Sequence, residues 1–392
     1  MCYFINMKIA YIGQKGLPTK FGGIERHVEN LAINMAELGH DIFVYTRPWY
    51  TDKELKEFNG VNLISLPSIK TKHFDAISHT LFASINVLFK QYDIIHYHGV
   101  GPALMSWIPR VFKYRAKVIV TFHCKDRMHD KWGSGARFFL RLGEFFAVKF
   151  AHETITVSKV LKKYCYNTYK EETTYIPNGT ILPEITGENI INEKFNLKSK
   201  EYFFIAVRLV KHKRLDLLIE AFKKIKTDKK LVIAGGSAFT DEYVQQLKKM
   251  AADDSRILFT GYQSGEALEQ LFANALLFIH PSDLEGLPIT VLESMSYGVP
   301  AVVSNIPEHL ELIPDELEKF LVFKQGDATD LKIKIERLME NKNWLPTFGQ
   351  RLRESVKEEY NWQSIASRTE RLYKEAMSKG QLRKTKPIKI NG

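Results

Sequence analysis

Cysteine is scarce in this chain. Cys2, Cys124 and Cys165 are the only thiols among 392 residues, and so odd and unpatterned a set argues against a disulfide framework and fits a reducing compartment. No apolar run reaches the roughly 18 residues needed to span a bilayer. A cytoplasmic protein is expected, or one peripheral at the inner face of a membrane. The opening Met1–Asn6 has no basic start, no long apolar stretch and no small-residue cleavage site, so no secretory signal is expected. The glycine fingerprint G-x-G-x-x-G is missing, which weighs against a nicotinamide-dependent oxidoreductase. No recognised nucleic-acid-binding motif appears, so a nucleic-acid-binding role rests on charge alone. Tandem repeats and low-complexity tracts are absent as well.

What is present is an ordinary globular composition, 45% apolar and 26% charged with 12% aromatics, which excludes disorder as the dominant state. At about 100–200 residues per domain, the length predicts two domains, each with its own core. The net charge of +11 is uneven. Residues 1–183 carry 24 Lys and Arg against 15 Asp and Glu, the remainder 32 against 30, and the basic excess is densest over 110–149. Such a field draws phosphates, nucleic acid or anionic lipid, or is a solvated surface.

Short apolar runs alternate with helix-length amphipathic segments almost throughout. Lys8–Gly13, Ile42–Arg47, Asn62–Pro67, Asp93–His98, Lys117–His123, Glu153–Ser158 and Thr173–Pro177 read as strands of the first half. Tyr202–Val207, Lys230–Ala234, Ile257–Thr260, Leu276–His280 and Ala301–Ser304 continue the pattern. Several are continuous Val/Ile/Tyr stretches, as buried parallel strands are. Ile24, Val28, Leu31, Met35 and Leu38 recur at helical spacing up to Gly39. The pattern predicts an α/β chain of two doubly wound, Rossmann-like domains, 1–183 and 184–360. The seam is expected between Pro183 and Phe195, and the basic stretch 379–392 is expected to be a disordered tail.

Three segments carry candidate chemistry. Gly13–Pro18 followed by Gly22 and Gly23 opens a helix; its backbone N–H groups suit an anion or ligand oxygens, or its glycines only serve a loop with positive φ. Arg208-Leu-Val-Lys-His-Lys213-Arg214 follows a strand, where paired cations suit a diphosphate, or form a solvated basic turn. The third, Pro281 to Gly298, is the most specific. Glu285 and Glu293 bracket a Gly-Leu-Pro turn and a short helix. Backbone N–H groups near Pro288, Ile289, Thr290 and Val291 would face a phosphate, and the two carboxylates would accept from sugar or ribose hydroxyls. Asp283 and Glu285 could instead hold a metal, but hard cations want more oxygen ligands than this segment offers, so no metal is expected.

With these pieces in order, the chain resembles the retaining glycosyltransferases of family 4, with the GT-B fold. Gly22-Gly-Ile-Glu-Arg-His-Val-Glu-Asn-Leu-Ala32, Val207-Arg208-Leu-Val-Lys-His-Lys213, Glu285 to Glu293 and Ile176-Pro-Asn-Gly179 carry the likeness over nearly the whole chain. Gly16–Gly23, His96–Ala103 and Lys131–Gly133 resemble the rhamnosyltransferase-like branch of bacterial cell-surface polysaccharide enzymes. Val207 and Arg214 stand where that family often has glycine; the first narrows the nucleotide crevice and the second adds charge.

The resemblance implies two Rossmann-like domains facing a central cleft. It implies a nucleotide-diphosphate sugar donor and a saccharide or lipid-linked saccharide acceptor. Arg208, Lys213 and the helix opening near Thr290 would stabilise the leaving diphosphate. Glu293 would hold the ribose, Glu285 the transferred sugar, and Gly22 and Gly23 would approach the diphosphate as the cleft closes. His123 would stand beside the sugar, or cap and fill the core; His96 and His98 would be structural or acceptor-side. No cofactor, no divalent metal and no protein nucleophile are implied. The segment Asn361–Met377 resembles the helix that crosses back to the first domain. In 137–149 phenylalanines interleave with cations, either as a buried face with a solvated rim or as a face meeting anionic lipid.

Overall fold

The computed structural model describes residues 6–71, 74–128, 133–183, 187–237 and 240–382. These form two compact units, one of 6–128, 133–177 and 362–382, the other of 178–361.

In the first unit eight strands make one sheet: β1 (Lys8–Ile12), β2 (Asp41–Thr46), β3 (Glu57–Phe58), β4 (Val61–Ser65), β5 (Ile94–His98), β6 (Lys117–Phe122), β7 (Glu153–Thr156) and β8 (Thr174–Tyr175). Their order is β3-β4-β2-β1-β5-β6-β7-β8. All neighbours are parallel except the β3–β4 pair. The continuous apolar strands lie centrally because helices cover both faces; every residue of β5 is buried, its two histidines included. The helices are α1 (Gly23–Glu37), α2 (Phe74–Asn86), α3 (Val100–Ala103), α4 (Trp107–Phe112), α5 (Ser134–Lys149) and α6 (Lys159–Tyr169). Gly143 lets α5 close onto α3, since a Cβ there would stand 2.1 Å from the Val100 carbonyl oxygen.

The second unit has a six-stranded parallel sheet of β9 (Tyr202–Ala206), β10 (Lys230–Ala234), β11 (Ile257–Gly261), β12 (Leu277–His280), β13 (Ala301–Ser304) and β14 (Val322–Phe323). The order is β11-β10-β9-β12-β13-β14. Strand order reverses beside β1 in the first sheet and beside β9 in the second. Doubly wound sheets open a ligand crevice at such a point, outside the carboxyl ends of the strands.

Three boundaries differ from expectation. The chain leaves the first unit after Pro177, because the next residues bond within the second. The Asn178 side-chain amide donates to the Leu287 carbonyl at 2.7 Å, and the Thr180 N–H donates to the Tyr360 carbonyl at 2.8 Å. The returning helix spans Trp362–Leu382 and joins the first unit's core through Trp362, Ile365, Ala366, Leu372, Tyr373 and Ala376. Residues 379–382, expected as tail, are helical, and Lys379 Nζ pairs with Glu153 Oε1 at 2.7 Å. Residues 383–392 lie outside the described residues. Among the described residues no helix is long and apolar enough to cross a membrane.

Candidate active site

In the first unit the glycine turn is built as a helix entrance. Gly22 is the N-cap of α1 with φ 111°, a conformation that L side chains rarely adopt. Just ahead, the Lys15 N–H and ammonium both reach Glu25 Oε1, at 3.1 and 2.9 Å. Burial works against the ionised Glu25, but Lys15 outweighs it and holds the carboxyl below its ordinary range. The turn is thus pinned from inside α1.

His123 follows β6 and is buried. Its Nε2 lies 3.4 Å from Nδ1 of His98, which ends β5. His27 of α1 meets both rings, at centroid distances of 4.7 Å to His123 and 5.5 Å to His98. Burial and the neighbouring imidazoles hold His98 and His123 well below the usual histidine range, so both are neutral at pH 7. His96 has a structural place. Its nitrogens bond the Tyr373 hydroxyl at 2.5 Å and the Thr121 hydroxyl at 2.7 Å, tying the returning helix to β5 and β6.

In the second unit Arg208 follows β9 and is exposed. Lys213, five residues on, turns its ammonium onto Glu285 Oε1. His280, the last residue of β12, reaches the same oxygen through Nε2 at 2.7 Å. Burial disfavours the Glu285 charge, yet Lys213 and His280 together hold the carboxyl well below its ordinary value. Both contacts are to Oε1, so Oε2 remains for a ligand hydroxyl. Beneath them His309 is anchored to Ser304, whose hydroxyl donates to the Ser282 carbonyl.

The helix Ile289–Ser296 opens after Pro288. Pro288 has no N–H, and the Val291 N–H is taken by the Pro288 carbonyl at 3.2 Å. The phosphate-ready donors are therefore Ile289 and Thr290, fewer than the four residues expected, because the first turn tightens onto its own cap. Glu293 sits one turn further along, half-buried.

Arg214 corrects a second expectation. It bridges Asp283 at 3.1 Å and Asp216 at 3.3 Å, so its charge is neutralised within the turn rather than offered to a ligand. Its φ of 49° explains why glycine suits this position. Asp283 is held in turn by Gln325 at 3.0 Å.

Three residues were given no role of their own in the sequence reading: His27, His280 and His309. His27 and His280 left a signal, each being a polar residue inside an otherwise buried pattern, on the apolar face of α1 and at the end of β12. His309 left none, since its packing against His280, at a ring distance of 5.2 Å, joins two separate segments.

Comparison with known proteins bears on both units. The family described as Glycosyltransferase Family 4 matches residues 21–182, and Glycosyl transferases group 1 matches residues 187–359. An uncharacterized glycosyltransferase of Methanocaldococcus jannaschii is 27% identical over 395 residues, covering 95% of this chain and 99% of its own. O-antigen chain mannosyltransferase B of Escherichia coli is 23% identical, with 82% of this chain and 91% of that protein covered. Among solved structures, sucrose-phosphate synthase from Thermosynechococcus elongatus has a TM-score of 0.81 at 20% identity, covering 95% of this chain and 100% of that one. Anabaena HepE, in complex with UDP and glucose, has a TM-score of 0.78 at 17% identity, covering 94% and 100%. At such identities the structural likeness establishes the fold.

Proposed function

The chain belongs to the glycosyltransferases of GT-B fold, and we propose that it moves a sugar, with retention, from a nucleoside-diphosphate donor to a saccharide or lipid-linked saccharide of the bacterial cell surface. One observation carries the donor assignment. Around the β9/β12 crevice the second unit gathers an exposed Arg208, a Lys213–Glu285–His280 cluster and the opening of the Ile289–Ser296 helix. Arg208, Lys213 and the Ile289 and Thr290 N–H groups meet the charge growing on the leaving diphosphate, a task that fixed cations and helix ends perform without reorganisation. Glu285 Oε2 accepts from a hydroxyl of the transferred sugar, and Glu293 from the ribose. On the first unit, Gly22 and Gly23 open α1 with exposed backbone N–H groups suited to an anion, and His123 follows β6.

In this reading the second unit meets the diphosphate charge without a divalent metal. The two acidic residues that could hold one are engaged, Asp283 by Arg214 and Glu285 by Lys213. The HepE structure with UDP and glucose supports a nucleotide-sugar donor, and the Escherichia coli mannosyltransferase supports a cell-surface saccharide as product. A lipid-linked acceptor is favoured by the first unit's surface. Phe138 and Phe139 on α5 are 60% and 57% exposed, and Val111 and Phe112 on α4 are 59% and 66% exposed. Arg137 and Arg141 are exposed among them. Aromatics set among cations on the outside of a helix suit an anionic lipid interface.

The test is proton NMR of the full chain with UDP-, GDP- and dTDP-sugars in turn, with and without lipid-linked acceptors. One donor class should be consumed, releasing its diphosphate and keeping the anomeric configuration in the product. If no donor is consumed, or the configuration inverts, the reading fails.

A further inference from the structure

We propose that His27, His98 and His123 form a binding site for one borderline transition-metal dication, Zn2+ being the type case. The three side chains come from three separate elements of the first unit, α1 and the ends of β5 and β6, yet each brings a ring nitrogen within 4.8 Å of the others'. All three are buried, at 3%, 0% and 7% exposure. The His98 Nδ1 to His123 Nε2 distance is 3.4 Å. That is long for a hydrogen bond between neutral rings, and it is about the spacing of two imidazole nitrogens around a tetrahedral ion at roughly 2.0–2.1 Å from each. His98 Nε2 is buried and has no hydrogen-bond partner, so neither nitrogen of that ring is committed to a strong bond.

The chemistry of the trio fits the ion. Imidazole is a preferred ligand of zinc and its neighbours, and a three-histidine set leaves a fourth position for water or a ligand oxygen. A second trio, His280, Glu285 and His309, has similar spacing. There the Lys213 ammonium lies on Glu285 Oε1 and occupies the carboxylate with a positive charge, so the first unit's trio is the one that takes the metal. The binding claim is independent of the transfer reaction. Its consequence, that the ion blocks the sugar side of His123 and inhibits, rests on the function proposed above.

The experiment uses the full chain stripped with chelator, titrated with Co2+ under visible absorption and with Zn2+ by calorimetry. One equivalent per chain is expected, with the intense visible bands of tetrahedral cobalt that Zn2+ displaces. His98→Gln and His27→Gln should each weaken binding by at least about tenfold, while His309→Gln should leave it unchanged. Circular dichroism checks the fold of each variant, and if His98→Gln does not fold, His27→Gln decides. Absence of saturable binding overturns the proposal. So does binding that survives both first-unit substitutions, or that disappears with His309→Gln. Donor binding by the second unit is measured separately, so failure here leaves the transferase reading standing.

Discussion

Lys213 and Glu285 show how a single ion pair divides its work. The ammonium offsets the cost of burying the carboxylate, and the carboxylate fixes the ammonium beside the turn that also carries Arg208. Removing either partner leaves a largely buried charge uncompensated. Arg208 is exposed and has no such duty. Arg208→Ala should therefore weaken nucleoside-diphosphate binding roughly 10–150-fold, the range of a lost charge-assisted contact, with the thermal midpoint unchanged. Lys213→Ala should lose both affinity and thermal stability. Calorimetry and thermal melts together check this pair, and equal affinity in wild type and both variants would remove the clamp. At this scale the cations and glutamates could be singled out as candidates from the sequence, because Arg208 and Lys213 share the turn after β9 and Glu285 and Glu293 bracket a Gly-Leu-Pro turn and a short helix. Of the histidines, His123, His96 and His98 were read from the sequence, whereas His27 and His280 were passed over although each interrupts an apolar pattern, on α1 and at the end of β12. Arg214 was read as a surplus cation, since nothing in a linear sequence shows that Asp216 and Asp283 converge on it.

The elements carry a second kind of evidence in which faces they bury. On α5 the buried residues are Gly143, Glu144, Ala147 and Val148, so the phenylalanines do not fill the core and the alternative of a buried aromatic face is set aside. The hydrophobic period alone could not decide this, because Gly143 and Glu144 belong to no apolar stripe. Glu144 is buried by polar contact instead, accepting from the hydroxyls of Tyr164 and Tyr169, both at 2.7 Å, while Arg127 pairs with it at 3.1 Å. Near an anionic surface each exposed Lys or Arg contributes about 1 kcal/mol, and salt screens that attraction within about 8 Å. Co-sedimentation with anionic vesicles should succeed at low salt, fail at high salt, and weaken in an Arg137→Ala, Arg141→Ala double variant. A protein that stays in the supernatant at low salt has no lipid-facing role for α5. Strands and principal helices were readable within a few residues. The composition break put the seam too late, at 183–195, although Ile176-Pro-Asn-Gly179 resembles the family's interdomain turn; the seam at Pro177 is drawn by Asn178 bonding to Leu287, more than a hundred residues on.

The molecule as a whole buries many uncharged imidazoles. Burial, aided by nearby cations, lowers His79 and His152 to about 4; burial, aided by His280, lowers His309 to about 3. His96, His98 and His123 lie well below their ordinary value for the same first reason. The folded chain therefore binds fewer protons than the unfolded one below pH 6.5, and stability falls as pH drops, by up to about 1.4 kcal/mol per unit for each ring. Glu285 acts in the same direction at lower pH, since its depressed carboxyl stabilises the fold above its unfolded value and loses that contribution on protonation. The thermal midpoint should drop from about pH 7.5 to about pH 5.5; a flat profile would contradict the buried-neutral assignment. The two-sheet architecture was legible from the alternation of strand and helix, whereas the packing that neutralises these rings exists only in three dimensions. The central claim is that the second unit holds a nucleoside diphosphate by fixed cations and a helix end, with no metal. Titration of UDP, GDP and dTDP into the full chain in excess chelator tests it most directly: one of them should bind, and Arg208→Ala should abolish most of that affinity. Binding that requires added Mg2+ or Mn2+ and is indifferent to Arg208→Ala would contradict it.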